Sequence, residues 1–251
     1  MRCKNQTATG AIEPKTKQIM ESRIKILCRN KYFILITLAF AVIYTSLGLT
    51  GGSRIYYAKY VLGDEMLNST MTMFNYIPTI LTIMLIPVFT KRFGKIKALF
   101  VGFLFYAAGL VLEIAGPVNL PMIYTGLVLQ GIGHAALYSC LFAIVGDVVD
   151  YSEWKDGVRE EGITYSVTSF GQKIGTGLGT AALGWILAAG HYDGTAAVQS
   201  ASAIFAIKGL FLYLPLVITV IVLIIWYLFM GIDKIYPTVR KELDERREKA
   251  E

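Results

Sequence analysis

The sequence predicts an all-α membrane protein with six transmembrane helices. Three observations lead there. Hydrophobic residues make up 55% of the 251-residue chain and charged residues only 17%, and the mean hydropathy of +0.54 is well above that of an ordinary globular chain. The charges gather between long apolar runs, six of which reach the roughly 20 residues that a helix needs to cross a bilayer. Lys and Arg are divided unequally between the loops that alternate along such a chain, as the positive-inside rule requires. Strand-like alternation is missing, which argues against a barrel.

The six runs are residues 32–50, 69–90, 98–115, 120–146, 162–190 and 209–232. They divide the chain into a loop-like segment 1–30, a helical bundle 31–233 and a charged tail 234–251. The segment up to Lys31 holds eight basic residues, the loop 91–97 four, the loop 147–161 two and the tail six, twenty in all on one side of a six-span chain. The other side holds two, Arg54 and Lys59. Both termini are therefore expected in the cytoplasm of a plasma (inner) membrane, with the net charge of +6 reflecting orientation and contact with anionic lipids. Nucleic acid is not expected as a partner.

Before the first span, Ile19, Arg23, Ile24, Ile26 and Leu27 could form a short surface helix or a plain basic tail. The first 25 residues lack the apolar core of a secretory signal, so the first span is expected to serve as its own insertion signal. That span runs on through Gly51 and Gly52 to a tyrosine-rich interfacial end, Tyr56 to Tyr60. Pro78 and Pro87 are expected to kink the second span. The third and fourth turn around Gly116, Pro117 and Pro121. In the fifth, Gly171, Gly175 and Gly179 recur every four residues, a spacing that lets two helix backbones approach. The sixth, with Pro215, reads as a peripheral helix.

Two groups of residues carry chemistry. Lys173 stands near half-depth in the fifth span, where a bare cation costs roughly 3 kcal/mol or more unless water or a counter-charge reaches it. Ser169 lies one turn away on the same face and Thr168 close to that face. The pair reads either as the wall of a substrate or ion site, or as a structural charge pair with a carboxylate elsewhere. Within the spans the one carboxylate is Glu113, near the outer end of its helix. The second group is the run 147–162. Asp147 and Asp150 sit one turn apart at the C-terminal end of the fourth span, where the helix dipole disfavours them. They need a cation, and Arg159 is the nearest in sequence. This run reads either as a charged gate that forms in one state and breaks in another, or as a solvated loop joining two spans.

The run 147–162, continued through Tyr165 and Ser166 to Lys173 and the glycine-rich helix up to Tyr192, resembles the signature of the glycoside–pentoside–hexuronide:cation symporters. Residues 56–63 resemble the outer end of that family's seventh helix, and the basic loop around Gly94 resembles a cytoplasmic motif of the wider major facilitator superfamily. The resemblance implies that these six transmembrane helices are the C-terminal half of a twelve-helix major facilitator superfamily fold. It implies a sugar or glycoside substrate moved with a monovalent cation, Na+ or H+, and it places Tyr138, Thr168, Ser169 and Lys173 on the sugar-cavity wall. Tyr138 would supply an aromatic face for a sugar ring. It further places Asp147, Asp150, Glu153, Arg159 and Glu161 in an inner gating network. The coupling cation would be bound mainly by the N-terminal half, which this sequence lacks, so a separate or missing six-helix half is the expected partner. The alternative is a fragment that acts only as a membrane interaction module with such a half.

No catalytic residues are expected, because no paired acids or nucleophile–base pair is present, so an enzyme is not expected. No cofactor is expected. Cys3, Cys28 and Cys140 lack metal or redox spacing, His134 and His191 are isolated, and no metal site follows. The run 175–179 resembles a nucleotide loop only superficially, since it follows no strand.

Overall fold

A computed structural model describes residues 27, 29–157, 159–196 and 198–249 of the chain. The surface helix considered around residues 19–26 lies outside the described residues. The described chain is helical throughout its bundle. Helix α1 spans Lys31–Tyr60, α2 Leu67–Ile83, α3 Ile86–Phe93, α4 Lys95–Ala115, α5 Leu120–Asp156 and α6 Glu161–Ala189. A final rod is made of α7 (Ala201–Lys208), a π-helical turn (Gly209–Tyr213) and α8 (Leu214–Glu248).

The helices alternate in direction, so six rods cross the bundle. Four of these are long and apolar enough to cross a membrane: α1, α4, α5 and the rod 201–248. A fifth is the pair α2 and α3, bent by 54°. The sixth, α6, has 29 residues and thus the length to span. Its glycines, threonines and Lys173 make it the least apolar of the six, as suits a helix with one face away from lipid.

Local chemistry explains the boundaries. Asn30 caps α1 by accepting from the Tyr32 backbone N–H at 3.0 Å, and its amide donates to the Ser152 hydroxyl at 2.8 Å, tying the start of α1 to the end of α5. Asn119 caps α5, with Pro121 in the first turn where its missing N–H costs nothing. Gly157 ends α5 in the left-handed region at φ 66°, which a side chain would disfavour. Pro87 begins α3 and fixes the break after Ile83. The π turn lies directly before Pro215. Its wider ring gives room to a proline that can neither donate nor tolerate the carbonyl one turn back. The first span reaches Tyr60, where its tyrosine-rich end was expected. Helix extends past the expected span limits elsewhere: α5 runs on to Asp156, the last rod begins at Ala201, and the tail continues α8 as helix to Glu248.

Packing is pairwise: α1 lies along α6, α4 along α5, α2 against α5 and α4 against the final rod. Two apolar clusters form the interior. One, toward the basic-loop end, centres on Phe40, Ile144, Trp226 and Phe229. The other, toward the opposite end, centres on Tyr57, Ile123, Leu210 and Phe211. The expected function of the α6 glycines is met in a specific way. A Cβ built on Gly171 would lie 3.4 Å from the Thr37 carbonyl oxygen of α1, and one on Gly175 or Gly179 would collide with the carbonyl oxygens of Ala41 and Thr45. In return, a Cβ on Gly48 of α1 would lie 2.6 Å from the Thr176 oxygen. The backbones therefore touch over more than two turns, which in lipid replaces the hydrophobic driving force by van der Waals contact.

Candidate functional site

The residues singled out in sequence fall into three places. The first is α6. Lys173 projects from an exposed face, in an open groove of about 440 Å³ lined by Tyr165, Ser166, Ser169, Phe170 and Lys173. A lysine ammonium beside two hydroxyls and two aromatic rings can hold hydroxyl or carboxylate groups of a solute. Thr168 is not part of this groove. It is fully buried, and its hydroxyl donates to the backbone oxygens of Thr164 and Tyr165 at 3.1 and 3.0 Å. The expected contribution of Thr168 to a cavity wall is thus corrected: one position before Ser169, the helical turn of 100° directs it inward, against the bundle.

The second place is α5. Tyr138 is 45% exposed and its ring stands 5.9 Å from that of His134, which in turn lies 5.0 Å from Tyr106. The groove at Lys173 does not include it. Tyr138 instead borders a band of polar side chains crossing α1, α2, α4 and α5. Asn75 donates to the Leu127 carbonyl at 3.2 Å and its side-chain oxygen lies 3.3 Å from His134 Nδ1. Thr79 donates to the Asn75 and Gly131 carbonyls. Arg54 Nη1 donates to the Thr72 hydroxyl at 3.2 Å, and Gln130 donates to Glu113 at 2.6 Å. Arg54 entered the sequence reading only through its charge, and Asn75 and Gln130 not at all. The available signal was the presence of amides inside apolar runs, which in lipid need partners on neighbouring helices.

The third place is the basic-loop end. Arg159 donates to Asp150 at 3.0 Å, to Glu153 at 2.5 Å and to Glu161. Tyr236 donates to the other oxygen of Asp150 at 2.9 Å, and Arg247 reaches Glu153 at 3.1 Å. Hydrogen bonds to Glu153, and then those to Glu161 and Asp150, raise the Arg159 pKa above its ordinary value. Its folded pKa lies above the unfolded one, so the stabilisation holds from neutral pH upward and is lost only when the arginine range is reached. Asp147 touches this cluster through Tyr236, which also hydrogen-bonds it, and not through Arg159. It is 5% exposed and pairs with Lys95 at 2.6 Å, across from α5 to the first residue of α4. The expectation that Arg159 answers both aspartates is corrected: Asp147, one turn earlier on α5, is met by Lys95 of α4 while Arg159 takes Asp150. Lys95 lay in the expected basic loop, and only the approach of α4 to α5 selects it. Trp154 donates to Glu242 at 2.7 Å and adds the last rod to the same layer.

Because Arg159 is 40% exposed, its bridges add little stability. Arg159→Ala should therefore cost no more than about 1 kcal/mol of stability, since Tyr236 still serves Asp150 and Arg247 still serves Glu153. A melting curve of the detergent-solubilised protein checks this, and a loss of several times that size would make the cluster a folding element.

Comparison with known proteins follows the same lines. The family described as MFS/sugar transport protein matches residues 7–234. An isoprimeverose transporter of Lactiplantibacillus pentosus is 30% identical over 94% of this chain and 49% of its own length. A glucuronide carrier protein homolog of Escherichia coli strain K12 is 25% identical over 98% of this chain and 54% of its own. A putative sulfoquinovose importer of Salmonella typhimurium is 35% identical over 50% of this chain and 26% of its own. The chain spans about half the length of the curated relatives it matches along most of its sequence.

Proposed function

The chain belongs to the MFS/sugar transport protein family, and on that premise we propose that it is the C-terminal half of a symporter that moves a sugar or glycoside together with Na+ or H+. The observation that carries this reading is Lys173, exposed in the middle of the least apolar helix and grouped with Ser169 and two aromatic rings in an open groove. A cation kept at that depth costs several kcal/mol unless a wet cavity faces it. Sugar carriers need such a cavity, because their substrate is held near the midplane between two halves that rock about it. The relatives transport isoprimeverose and, by name, glucuronides, which supports a glycoside as cargo.

The companion in this reading is a six-helix N-terminal half carrying most of the cation site. The twenty basic residues on one side orient both termini to the cytoplasm. The layer of Arg159 with Asp150, Glu153 and Glu161 then lies at the inner mouth as the gate, and Lys95 with Asp147 pins α4 to α5 beside it.

Uptake of labelled glycosides by cells that produce the chain with its companion half tests the proposal. Accumulation should follow an imposed Na+ or proton gradient, and Lys173→Leu should lower it at least about 10-fold while the protein stays in the membrane, as expected when a charged contact to substrate is lost. Gradient-driven uptake that is unchanged by Lys173→Leu would sink the role of this residue. Co-purification of the two halves without any uptake would leave the chain as an interaction module instead.

A further inference from the structure

The polar band on α1, α2, α4 and α5 contains a cation that the bundle does not neutralise by contact. Arg54 is half-buried near the end of α1 opposite the basic loops. Its Nη1 donates to the Thr72 hydroxyl at 3.2 Å, whereas its Nε is buried with no hydrogen-bond partner. Among the described residues it forms no ion pair. The one carboxylate within electrostatic range is Glu113, and the same range holds Tyr76, Tyr106 and Tyr138. Glu113 is fully buried between α4 and α5, with one oxygen taken by Gln130. It is sealed away from any solute, while Tyr76 and Tyr138 are 50% and 45% exposed. Arg54 thus has both a sealed carboxylate and two exposed tyrosines within electrostatic range.

We propose that Arg54 is the anchor for an acidic group, a carboxylate or a sulfonate, on the transported sugar, whose ring lies against Tyr76 and Tyr138. The proposal rests on the carrier reading above and narrows its cargo to anionic sugars. Three physical arguments support it. A guanidinium in a membrane protein that lacks a contact anion is costly, and a bound anion removes that cost. Its planar fork matches the geometry of carboxylate and sulfonate oxygens, and the hydrogen bond to the Thr72 hydroxyl occupies Nη1 alone. Tyrosine rings with hydroxyls at their tips suit the mixed apolar and hydroxylated surface of a pyranose. None of Arg54, Tyr76 and Tyr138 lines the Lys173 groove.

The test uses three matched competitors that differ only at C6: methyl glucopyranoside, its uronate and its 6-sulfonate. Each competes for uptake of a labelled glycoside in cells producing the chain with its companion half. The readout is the ratio of inhibition constants, acidic over neutral, compared between the unaltered protein and Arg54→Gln, with Arg54→Lys as the variant that keeps charge but loses the fork. The unaltered carrier should favour one or both acids. In Arg54→Gln that preference should fall about 100-fold, the usual consequence of removing one partner of a desolvated charge pair, and Arg54→Lys should keep part of it. Whether uronate or sulfonate shows the larger preference identifies the acid. A preference that is equal in Arg54→Gln and the unaltered protein overturns the assignment, as does neutral uptake that neither acid inhibits, with the carrier reading left standing. Uptake of no glycoside of either charge removes the carrier reading and this inference together. If Arg54→Gln does not reach the membrane, Arg54→Lys decides: an unchanged acid preference and affinity for both acids would show that the fork is not used.

Discussion

Gly179→Leu is expected to leave little or no correctly folded protein. The Cβ alone would collide with the Thr45 carbonyl oxygen and lie 2.9 Å from the Leu49 nitrogen, both backbone atoms of α1. Backbone cannot rotate aside as a side chain can, so α1 and α6 must separate. Overpacking a soluble core usually costs about 1–3 kcal/mol. Here the cost is higher, because the neighbouring close approaches at Gly175 and Gly48 are lost with it and lipid offers no hydrophobic force to restore the pair. Gly177→Leu is the control on the same helix: nothing lies within 4 Å of a Cβ placed there. That variant should fold as well as the parent, or gain up to about 1 kcal/mol in helix preference. Size-exclusion profiles of the solubilised proteins compare the two, and a monodisperse Gly179→Leu would show that the close contact of α1 and α6 is not needed for folding.

Lys95→Ala should have the next largest effect. Asp147 is 7% exposed at its side chain and would be left without its ion-pair contact, Lys95 at 2.6 Å, and with the Tyr236 hydroxyl as its remaining neighbour. Breaking a buried pair by removing one partner typically costs 3–5 kcal/mol. Lys95 is 34% exposed, which screens the interaction and brings the expected loss to about 2 kcal/mol. The double variant Lys95→Ala, Asp147→Asn should recover roughly half, because most of the damage in the single variant is the stranded carboxylate. Thermal midpoints of the four proteins form the cycle. Equal midpoints for Lys95→Ala and the parent would mean that the pair holds nothing together.

These two cases show where reading along the chain succeeded and where it stopped. The spacing of Gly171, Gly175 and Gly179 announced a helix that another backbone must approach, and the partner proved to be α1. Periodicity reveals a face and is silent on what covers it. The run 147–162 announced carboxylates in need of a cation. Arg159 takes Asp150, Glu153 and Glu161, while Asp147 finds Lys95, fifty-two positions earlier. Proximity in sequence was a fair guide across the short loop and no guide between helices. Thr168 and Ser169 were grouped with Lys173 from their spacing, and a single step of 100° separates the buried hydroxyl from the exposed one. Arg54, Asn75, Gln130 and His134 were not joined into a band because they come from three different helices and form no motif.

The helical class, the apolar runs and the asymmetry of basic residues followed from the sequence alone, because lipid makes each span satisfy its own backbone and so leaves the decision to local composition. Which span lies beside which, which carboxylate meets which cation, and that Arg54 is left with a free donor beside two open tyrosines were decided only in three dimensions. Those outcomes depend on rotations of whole helices about one another, and no stretch of residues contains the neighbour that sets them.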